Sequence, residues 1–266
     1  MKKKSFLRNK YTLSVFIIFA CLAADVIIHR GMSRVMLPDF FSEKRSPKQF
    51  FMCNSSLEFA HKKWKKGVNS IKQMKELPTD AAGFELDVYY DSTKNTMLVY
   101  HDSSRYSTLT LTELLKIYDT RKLTASVWLD FKNLTSFNEI KSLEYISHLS
   151  QLYHLQNKII VESAFPQYLQ SFCAKGFFTS YYIPYFNPYS ISGQQLSHQL
   201  DSISRILNTF TVSALSGYYF QYPVMKKYFP RYPILTWSVN DVASVVTNTF
   251  NRKLLKDPHV KIVLFP

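Results

Sequence analysis

Short groups of polar residues interrupt the apolar sequence at four positions, each near the end of a segment that the pattern predicts as a β-strand. These groups are His61, Glu85-Leu86-Asp87, His101-Asp102 and Asp130-Phe131-Lys132. Side chains at positions i and i+2 of a strand point to the same face, so Glu85 and Asp87 can share a divalent cation. A single group of this kind is usually a solvated strand face or a structural histidine. Charges buried on consecutive strands are costly unless they pair or bind metal, so the four groups together indicate a functional site.

From about residue 55 onward, strand-like and helix-like segments alternate along the chain. The predicted strands are 57–61, 83–90, 96–101, 127–131, 158–163, 177–183, 211–215, 234–239 and 260–264. The five residues Asp91–Asn95 are too few for a parallel crossover, so the strands on either side of them form an antiparallel hairpin. Without the returning arm, eight strands joined mostly by helices remain, as a closed single (β/α)8 TIM barrel requires. An open, doubly wound sheet is the alternative.

In a barrel of this kind, functional residues lie at the carboxyl ends of the strands, and all four polar groups fall there. Glu162 ends another predicted strand, where it is either a fourth carboxylate of the site or a partner of Lys132. Trp237 either contacts a ligand or packs in the core. The lysine cluster 62–66 either attracts an anionic group or forms a solvated loop.

The N-terminus has the pattern of a membrane-targeting segment. Five basic residues occur among the first ten, and Asp25 is the only charge in the apolar stretch Tyr11–Ile28 that follows. This pattern predicts a signal anchor or a cleaved signal peptide over residues 1–30, with a buried helix as a third reading. The basic residues favour a cytoplasmic N-terminus. The rest of the chain would then be a single-pass protein's domain outside the cytoplasm, or a secreted or periplasmic protein after cleavage.

Residues 31–54 contain Pro38 and Pro47 and are predicted to be a linker, so the barrel occupies 55–266 without a second domain. Cys53 and Cys173 could pair outside the cytoplasm or remain two separate buried thiols. The three cysteines include no C-x-x-C pair, which argues against a zinc or redox motif. Six glycines in the chain leave no glycine-rich phosphate-binding loop, which argues against Rossmann and P-loop folds.

The chain carries 33 Lys+Arg against 19 Asp+Glu, a formal net charge of +14. Half of this excess lies in residues 1–50, where ten basic residues accompany three acidic ones. The remainder is spread thinly, and no nucleic-acid-binding motif is present. We therefore do not expect nucleic acid as a partner, and the charge indicates membrane topology first.

The polar groups, taken in order, resemble the motifs of the phospholipase-C-like (PLC-like) TIM-barrel phosphodiesterases, which include the glycerophosphodiester phosphodiesterases and sphingomyelinase D-type phospholipases. The matching segments are Ala60-His61, Phe84–Val88, Val99–Asp102, Asp130-Phe131-Lys132 and Thr236–Asp241. The resemblance covers roughly residues 57–266. Val68-Asn69-Ser70 is also similar to the menorin-type branch. The family's H-R-G after the first strand is replaced by His61-Lys62-Lys63, which affects the expected substrate more than the expected reaction.

The resemblance implies a metal-dependent phosphoric diester hydrolase or lyase that acts on a glycerophosphodiester or a phospholipid or lysophospholipid-type substrate. It implies Glu85, Asp87 and Asp130 as ligands of Mg²⁺ or Ca²⁺. His61 and His101 would be the general base and general acid, and Lys132 would neutralise phosphoryl charge. The nucleophile is water or a neighbouring substrate hydroxyl. We expect a monomer that meets the membrane through its N-terminal helix. The alternative is a catalytically silent, membrane-anchored barrel that binds a lipid or glycan.

Overall fold

The computed structural model describes residues 3–37, 41, 50–53, 55, 57, 59, 61–102, 104 and 106–266, with side chains from residue 11 onward. Its helices are α1 (Lys3–Ile28), α2 (Arg30–Met36), α3 (Ile71–Glu76), α4 (Leu111–Thr120), α5 (Glu139–Leu152), α6 (Gln170–Ala174), α7 (Gly193–Thr209), α8 (Tyr222–Tyr228) and α9 (Val245–Lys256). Its strands are β1 (Lys63–Lys65), β2 (Gly83–Asp91), β3 (Thr96–Val99), β4 (Ser126–Phe131), β5 (Ile159–Ser163), β6 (Phe178–Tyr182), β7 (Ala214–Tyr218), β8 (Ile234–Trp237) and β9 (Val260–Phe265). Short 3₁₀ helices, Pro166–Leu169 and Tyr219–Gln221, precede α6 and α8.

Eight parallel strands close into a barrel. The order is β1-β9-β8-β7-β6-β5-β4-β2, and β1 also pairs with β2, which joins the two ends. The closing contacts are Trp64 with Leu264 on one side of β1 and Lys65 with Phe84 on the other. β3 lies outside the barrel and pairs with β2 in antiparallel orientation. The predicted (β/α)8 barrel and its additional hairpin are therefore confirmed.

Alternation along each strand separates the barrel interior from the layer beneath the helices. On β4, Trp128 joins an interior cluster with Trp64 and Ile160, whereas Leu129 belongs to the large cluster between strands and helices. Burial of each such side chain contributes about 1.5–3 kcal/mol relative to exposure. Inside the barrel, the Trp64 ring packs against Gly83, the first residue of β2. A Cβ added at Gly83 would lie 2.3 Å from the ring. A glycine is therefore required at this position.

Side-chain caps define the starts of several crossover helices. Thr110 and Glu113 form a capping box at α4, and Ser192 and Gln195 form another at α7. Ser70 caps α3 by accepting the Gln73 N–H. Such caps satisfy the first backbone N–H groups and each stabilise a helix by about 1 kcal/mol.

The predicted first strand, 57–61, is wrong for the residues described there. Leu57, Phe59 and His61 are not in a strand, and residues 58 and 60 lie outside the described part of the chain. The strand is instead Lys63–Lys65, in which Trp64 is buried between two exposed lysines. The sequence around Leu57 resembles a strand because Leu57 is an apolar residue that packs in the interior cluster. The actual strand has an exposed lysine on each side of Trp64 and therefore contains no apolar run that would predict it.

The segment predicted as a linker begins with the docked helix α2. Its buried Met32 and Val35 pack among the core residues, and the Lys253 side chain of α9 donates to Val35 O at 3.1 Å. Residues 38–40, 42–49 and 54, which include both prolines of this segment, lie outside the described residues.

Cys53 and Cys173 form a disulfide, with a Cα–Cα distance of 5.7 Å. Of the two readings left open by the sequence, the structure has the paired one. The bond attaches the segment before the barrel to α6, while Cys21 on α1 is a free, exposed thiol.

Within the described residues, one helix is long and apolar enough to cross a membrane. Its segment Tyr11–Ile28 has a mean hydropathy of 2.3 and is 0% buried. Length and composition of this kind are shared by membrane anchors and signal sequences.

Candidate functional site

A cavity opens at the carboxyl end of the barrel. Strand ends supply its polar lining: Glu85 and Asp87 from β2, Asp130 and Lys132 from β4, and Glu162 from β5. His101, which follows β3, also lines it. The structure thus brings together every predicted site residue except His61.

Three carboxylates in this cavity lie close enough to share one cation. A ligand oxygen from each of Glu85, Asp87 and Asp130 lies within 4.8 Å of the other two. The sheet register explains the arrangement, because Asp87 and Asp130 are direct neighbours on β2 and β4. Glu85 lies two residues earlier on the same face of β2. Carboxylate oxygens are the ligands that Mg²⁺ and Ca²⁺ prefer.

Glu85 is buried among like charges. Its Oε2 accepts the Gly67 N–H at 2.7 Å. Burial, followed by repulsion from Asp87 and Asp130, raises the pKa of Glu85 to about 8. Without a cation, Glu85 therefore holds a proton at neutral pH, and the site carries more carboxylates than its own positive groups compensate.

Lys132 connects the carboxylates of the two strands. Its Nζ lies 2.8 Å from Asp87 Oδ1 and also bonds to Asp130. Burial acts to lower the pKa of Lys132, but the attraction of Asp130 and Asp87 outweighs it and raises the pKa above the ordinary lysine value. Lys132 is thus a permanently charged ammonium held in one position at the base of the cavity.

Asn69 fixes the orientation of Asp87, and the motif analysis of the strands did not identify it as part of the site. Its Nδ2 donates to Asp87 Oδ2 at 2.5 Å, and its Oδ1 accepts the Asp87 backbone N–H at 2.9 Å. The signal that could have identified it is the Val68-Asn69-Ser70 similarity, since Asn69 follows the end of β1.

Glu162 is a fourth carboxylate of the cavity. It is paired in register with Asp130 and is 2% exposed. Its Oε2 has no hydrogen-bond partner in the described part of the chain, and no ion pair joins it to Lys132 there. Burial and then the Asp130 charge raise the pKa of Glu162 well above the usual value. Of the two readings that the sequence left open, the geometry favours the site carboxylate.

His101 lies at the half-exposed rim of the cavity. Its Nδ1 lies 2.9 Å from Asp102 Oδ2. Asp102 also accepts the Ser104 backbone N–H at 2.9 Å. Hydrogen bonds from the Ser104 hydroxyl and then from His101 lower the pKa of Asp102 to about 2. Asp102 therefore remains ionised and orients the imidazole.

His61 lies at the other end of the barrel. It lines a cavity with residues that precede the amino ends of β2, β4 and β5, such as Ala82, Thr124 and Lys158. The predicted pairing of His61 with His101 is therefore not found. The physical reason is the position of β1, since a strand at Lys63–Lys65 leaves His61 before its amino end.

The position after β1 in the cavity belongs to Lys66 and Gly67. Lys66 Nζ lies 5.5 Å from the centroid of the Trp237 ring. Lys66 was missed as a separate site residue because the sequence presents it as one lysine of a cluster. The signal for it is Trp64, whose inward position places Lys66, two residues later, on the same face.

Aromatic rings form the wall of the cavity opposite the carboxylates. Trp237 packs against Tyr218 and Tyr182 with centroid distances of 4.8 and 5.5 Å. All three rings line the cavity and are partly buried. The site thus joins a charged half to an aromatic half, which suits a ligand that has an anionic group and an apolar part.

Comparisons with known proteins agree with this geometry. The sequence model of the menorin N-terminal domain family matches residues 58–165, the part that contains Glu85, Asp87, His101, Asp130 and Lys132. No curated protein matches the sequence.

Solved structures resemble the barrel. A putative glycerophosphoryl diester phosphodiesterase from Silicibacter pomeroyi matches with a TM-score of 0.54 and 12% identity, covering 80% of this chain and 91% of that one. A glycerophosphodiester phosphodiesterase from Parabacteroides distasonis matches with a TM-score of 0.51 and 13% identity, covering 77% and 93%. This chain has the fold of the PLC-like phosphodiesterase barrels.

A third similar structure contains a ligand. The phosphodiesterase from Oleispira antarctica, solved in complex with the product sn-glycerol-3-phosphate, matches with a TM-score of 0.50 and 14% identity, covering 77% of this chain and 92% of that one. At such identities the likeness establishes the fold, and the chemistry has to be argued from the site.

Proposed function

We propose that this chain is a metal-dependent phosphoric diester hydrolase or lyase acting on a glycerophosphodiester or phospholipid-type substrate. The observation that carries this proposal is the cluster of Glu85, Asp87 and Asp130 with Lys132, at the carboxyl end of a barrel with the PLC-like fold. Buried carboxylates in excess of their positive partners are costly in a protein that has no use for them.

The donor set fits one hard divalent cation. The three carboxylates offer oxygens within 4.8 Å of one another, and the raised pKa of Glu85 reflects negative charge that a cation would compensate. Mg²⁺ or Ca²⁺ would be held by Glu85, Asp87 and Asp130, with Glu162 adjacent. When bound, the cation would act as a Lewis acid towards the phosphoryl oxygens.

The chain's own residues would supply positive charge and a proton carrier. Lys132, fixed by Asp87 and Asp130, would stabilise charge that develops on the phosphoryl group. Lys66, which follows the carboxyl end of β1, would supply a second ammonium. His101, oriented by Asp102, would transfer the proton at the rim, where the leaving group can reach solvent. The aromatic wall of Tyr182, Tyr218 and Trp237 would bind the apolar part of the substrate.

The direct test is diester cleavage by the purified full chain in detergent. Glycerophosphocholine and lysophosphatidylcholine would be supplied with chelator, and then with Mg²⁺ or Ca²⁺ restored. We expect turnover that is lost with chelator and with Asp130→Asn, but retained by Asp80→Asn, the same change at an exposed position at the opposite end. Mass spectrometry separates hydrolysis from cyclising transfer, because the two products differ by one water. Metal-independent cleavage would contradict the proposal.

A second candidate is a catalytically silent, membrane-anchored barrel that binds a lipid or glycan. The observation in its favour is that Lys66, and not a histidine, follows β1 into the cavity. Among the described residues, His101 is therefore the single histidine in the lining, and a second histidine to carry a proton is not found there. Both candidates predict divalent-cation binding by the carboxylates. Cation binding by calorimetry without cleavage of any diester would favour the silent barrel.

We further propose that α1 anchors the protein in a membrane with the barrel outside the cytoplasm. The apolar span Tyr11–Ile28 and the basic residues before it support this orientation. The Cys53–Cys173 disulfide supports it independently, because such bonds persist in oxidising compartments.

A further inference from the structure

The apolar helix α1 joins the barrel at the end that contains the candidate active site. Asp25 Oδ2 accepts the Val246 N–H at 3.0 Å, at the first turn of α9. His29 Nε2 lies 3.3 Å from Asp241 Oδ2, in the loop between β8 and α9. Because this loop follows the carboxyl end of β8, the end of α1 lies at the same end of the barrel as Asp130 and Lys132.

The direction of α2 shows which way α1 leaves the barrel. Met32 Sδ accepts the Thr247 hydroxyl near the start of α9, and Val35 O accepts from Lys253 near its end. Helix α2 therefore runs from the carboxyl end of the barrel towards the amino end. The His29 N–H bonds back to Asp25 O at 2.9 Å, so α1 and α2 follow one another almost without interruption. Helix α1 must then project outward from the carboxyl end.

The projecting segment has the dimensions of a membrane span. Tyr11–Ile28 contains 18 residues, and its large apolar side chains are exposed, whereas Asp25 contacts α9. At about 1.5 Å per residue this segment is roughly 27 Å long, close to the hydrocarbon thickness of a bilayer. A bilayer that receives α1 would therefore begin immediately beyond the carboxyl end of the barrel.

Exposed apolar side chains are concentrated at this same end. Thirteen large apolar residues are exposed among the described residues outside α1, and nine of them lie near the carboxyl end of the barrel. Eight lie in the loops or first helical turns that follow a barrel strand: Ile71, Phe137, Ile140, Phe165, Tyr185, Val239, Val242 and Val245. Phe137, at 94%, and Val242, at 79%, are the most exposed of these eight, and Tyr106 in the loop after His101 is the ninth. The other four are Leu37, Phe51, Met52, which is bridged to Val212 before β7, and Leu152, at the amino end after α5. We call the eight residues and Tyr106 the apolar rim.

We propose that the apolar rim rests on the phospholipid bilayer entered by α1, so that the active-site cavity opens towards the lipid headgroups. A bilayer is the occupant because the rim is continuous with the exposed span. Val242 follows Asp241, which contacts His29, and Val245 precedes Val246, whose N–H donates to Asp25. Apolar side chains distributed around a cavity mouth, rather than gathered in one groove, suit insertion into the headgroup region.

This orientation has a consequence for the substrate. A lipid diester could pass from the bilayer into the cavity, with its phosphate at Lys132 and its apolar part against Trp237, without crossing water. This consequence rests on the proposed function, whereas the orientation itself does not. A membrane lipid would then be a better substrate than its water-soluble glycerophosphodiester.

The test measures contact with lipid directly. In the full chain with Cys21→Ser, single cysteines replace Phe137 or Val242 at the rim, or Leu152 at the amino end as the matched control, and each carries an NBD fluorophore. The proteins are reconstituted into phosphatidylcholine and phosphatidylserine vesicles with or without doxyl-labelled phosphatidylcholine. Both leaflets contain quencher, so the direction of insertion does not affect the result.

We expect strong quenching at positions 137 and 242 and little at 152. Equal quenching at all three positions, or stronger quenching at 152, would overturn the proposal. The two rim positions lie in different loops, so a local disturbance at one leaves the other informative. The measurement needs no turnover, and therefore a catalytically silent barrel would give the same result if the orientation is correct.

Discussion

Four carboxylates and two lysines face the same cavity, and their balance determines what each can do. Lys132 bonds to both Asp87 and Asp130, yet burial still raises the pKa of Asp130, as it raises those of Glu85 and Glu162. A divalent cation would compensate the negative charge of these carboxylates. The side chains could not do so by rearranging, because the sheet register fixes the strand positions that carry them.

The two histidines give opposite predictions for the same substitution. His101→Ala should reduce turnover by about 10²-fold or more, the usual contribution of a proton-transferring group. His61→Ala should leave turnover unchanged, because His61 lies at the amino end of the barrel. Rate measurements on the two variants check this, with circular dichroism as the control for folding. Equal losses in both would restore the acid–base pair expected from the sequence.

The pKa of Glu85 predicts how a cation changes stability with pH. Without cation the folded pKa is about 8, above the ordinary 4.5, so the native state binds more protons than the unfolded state between these values. The free energy of unfolding therefore falls as pH rises from about 4.5 to 8. A cation that binds the ionised carboxylates offsets this loss, so its addition should raise the Tm more at pH 8 than at pH 5.

Thermal unfolding with and without Mg²⁺ or Ca²⁺ at both pH values checks this prediction. Glu85→Gln removes the titrating group and should weaken the pH dependence of the effect. Asp80→Asn, at an exposed position far from the cavity, serves as the control. An equal rise in Tm at both pH values would contradict the assignment of the cation to these carboxylates.

At the scale of elements, the shortest strand has the largest effect on the site. β1 has three residues, yet it closes the barrel between β9 and β2 and ends beside Glu85. Its one buried side chain, Trp64, is accommodated by Gly83 on β2. This contact fixes β1 along the barrel axis and brings Lys66 and Gly67 to the cavity.

The disulfide is the element-scale feature that is easiest to test. Cys53 and Cys173 are separated by 120 residues, and a closed loop of that length stabilises the folded state by up to about 5 kcal/mol through the entropy of the unfolded chain. The double variant Cys53→Ser/Cys173→Ser should lower the free energy of unfolding by a large part of this amount. Denaturant titration measures it, and Cys21→Ser should have no effect. Equal stability of the two variants would argue against the bond.

At the scale of the whole molecule, the net charge of +14 divides into two parts with different roles. The five basic residues before the apolar span favour a cytoplasmic N-terminus, whereas Lys66 and Lys132 face the cavity. The net positive charge of the chain therefore does not form a single binding surface.

This topology predicts that the two ends of the chain differ in accessibility. An epitope tag at the C-terminus should bind antibody on cells or sealed spheroplasts whose cytoplasmic membrane is intact, because the barrel would lie outside the cytoplasm. A tag at the N-terminus should bind only after that membrane is permeabilised. The opposite pattern would contradict the orientation, and loss of both the tag and the span from the mature protein would indicate cleavage instead.

Much of the site follows from local geometry, and the sequence is sufficient for that part. The period of two along a strand puts Glu85 with Asp87 and Asp130 with Lys132, whatever the rest of the fold does. The short turn Asp91–Asn95 likewise requires the hairpin that carries His101. The alternation of strands and helices over about 210 residues predicts eight parallel strands with crossovers, the number that a closed barrel needs. The pairing of β1 with β2 decides that they close rather than form an open sheet.

The tertiary structure alone decided which residue follows β1 into the cavity. A three-residue strand bounded by lysines has no periodic signal, so its position depends on pairing with β9 and β2 and on the fit of Trp64 over Gly83. That contact excludes His61 and admits Lys66. The pairing of Cys53 with Cys173 and the docking of Asp25 on α9 were undetermined for the same reason. They join residues far apart in sequence, and only the closed barrel brings them together.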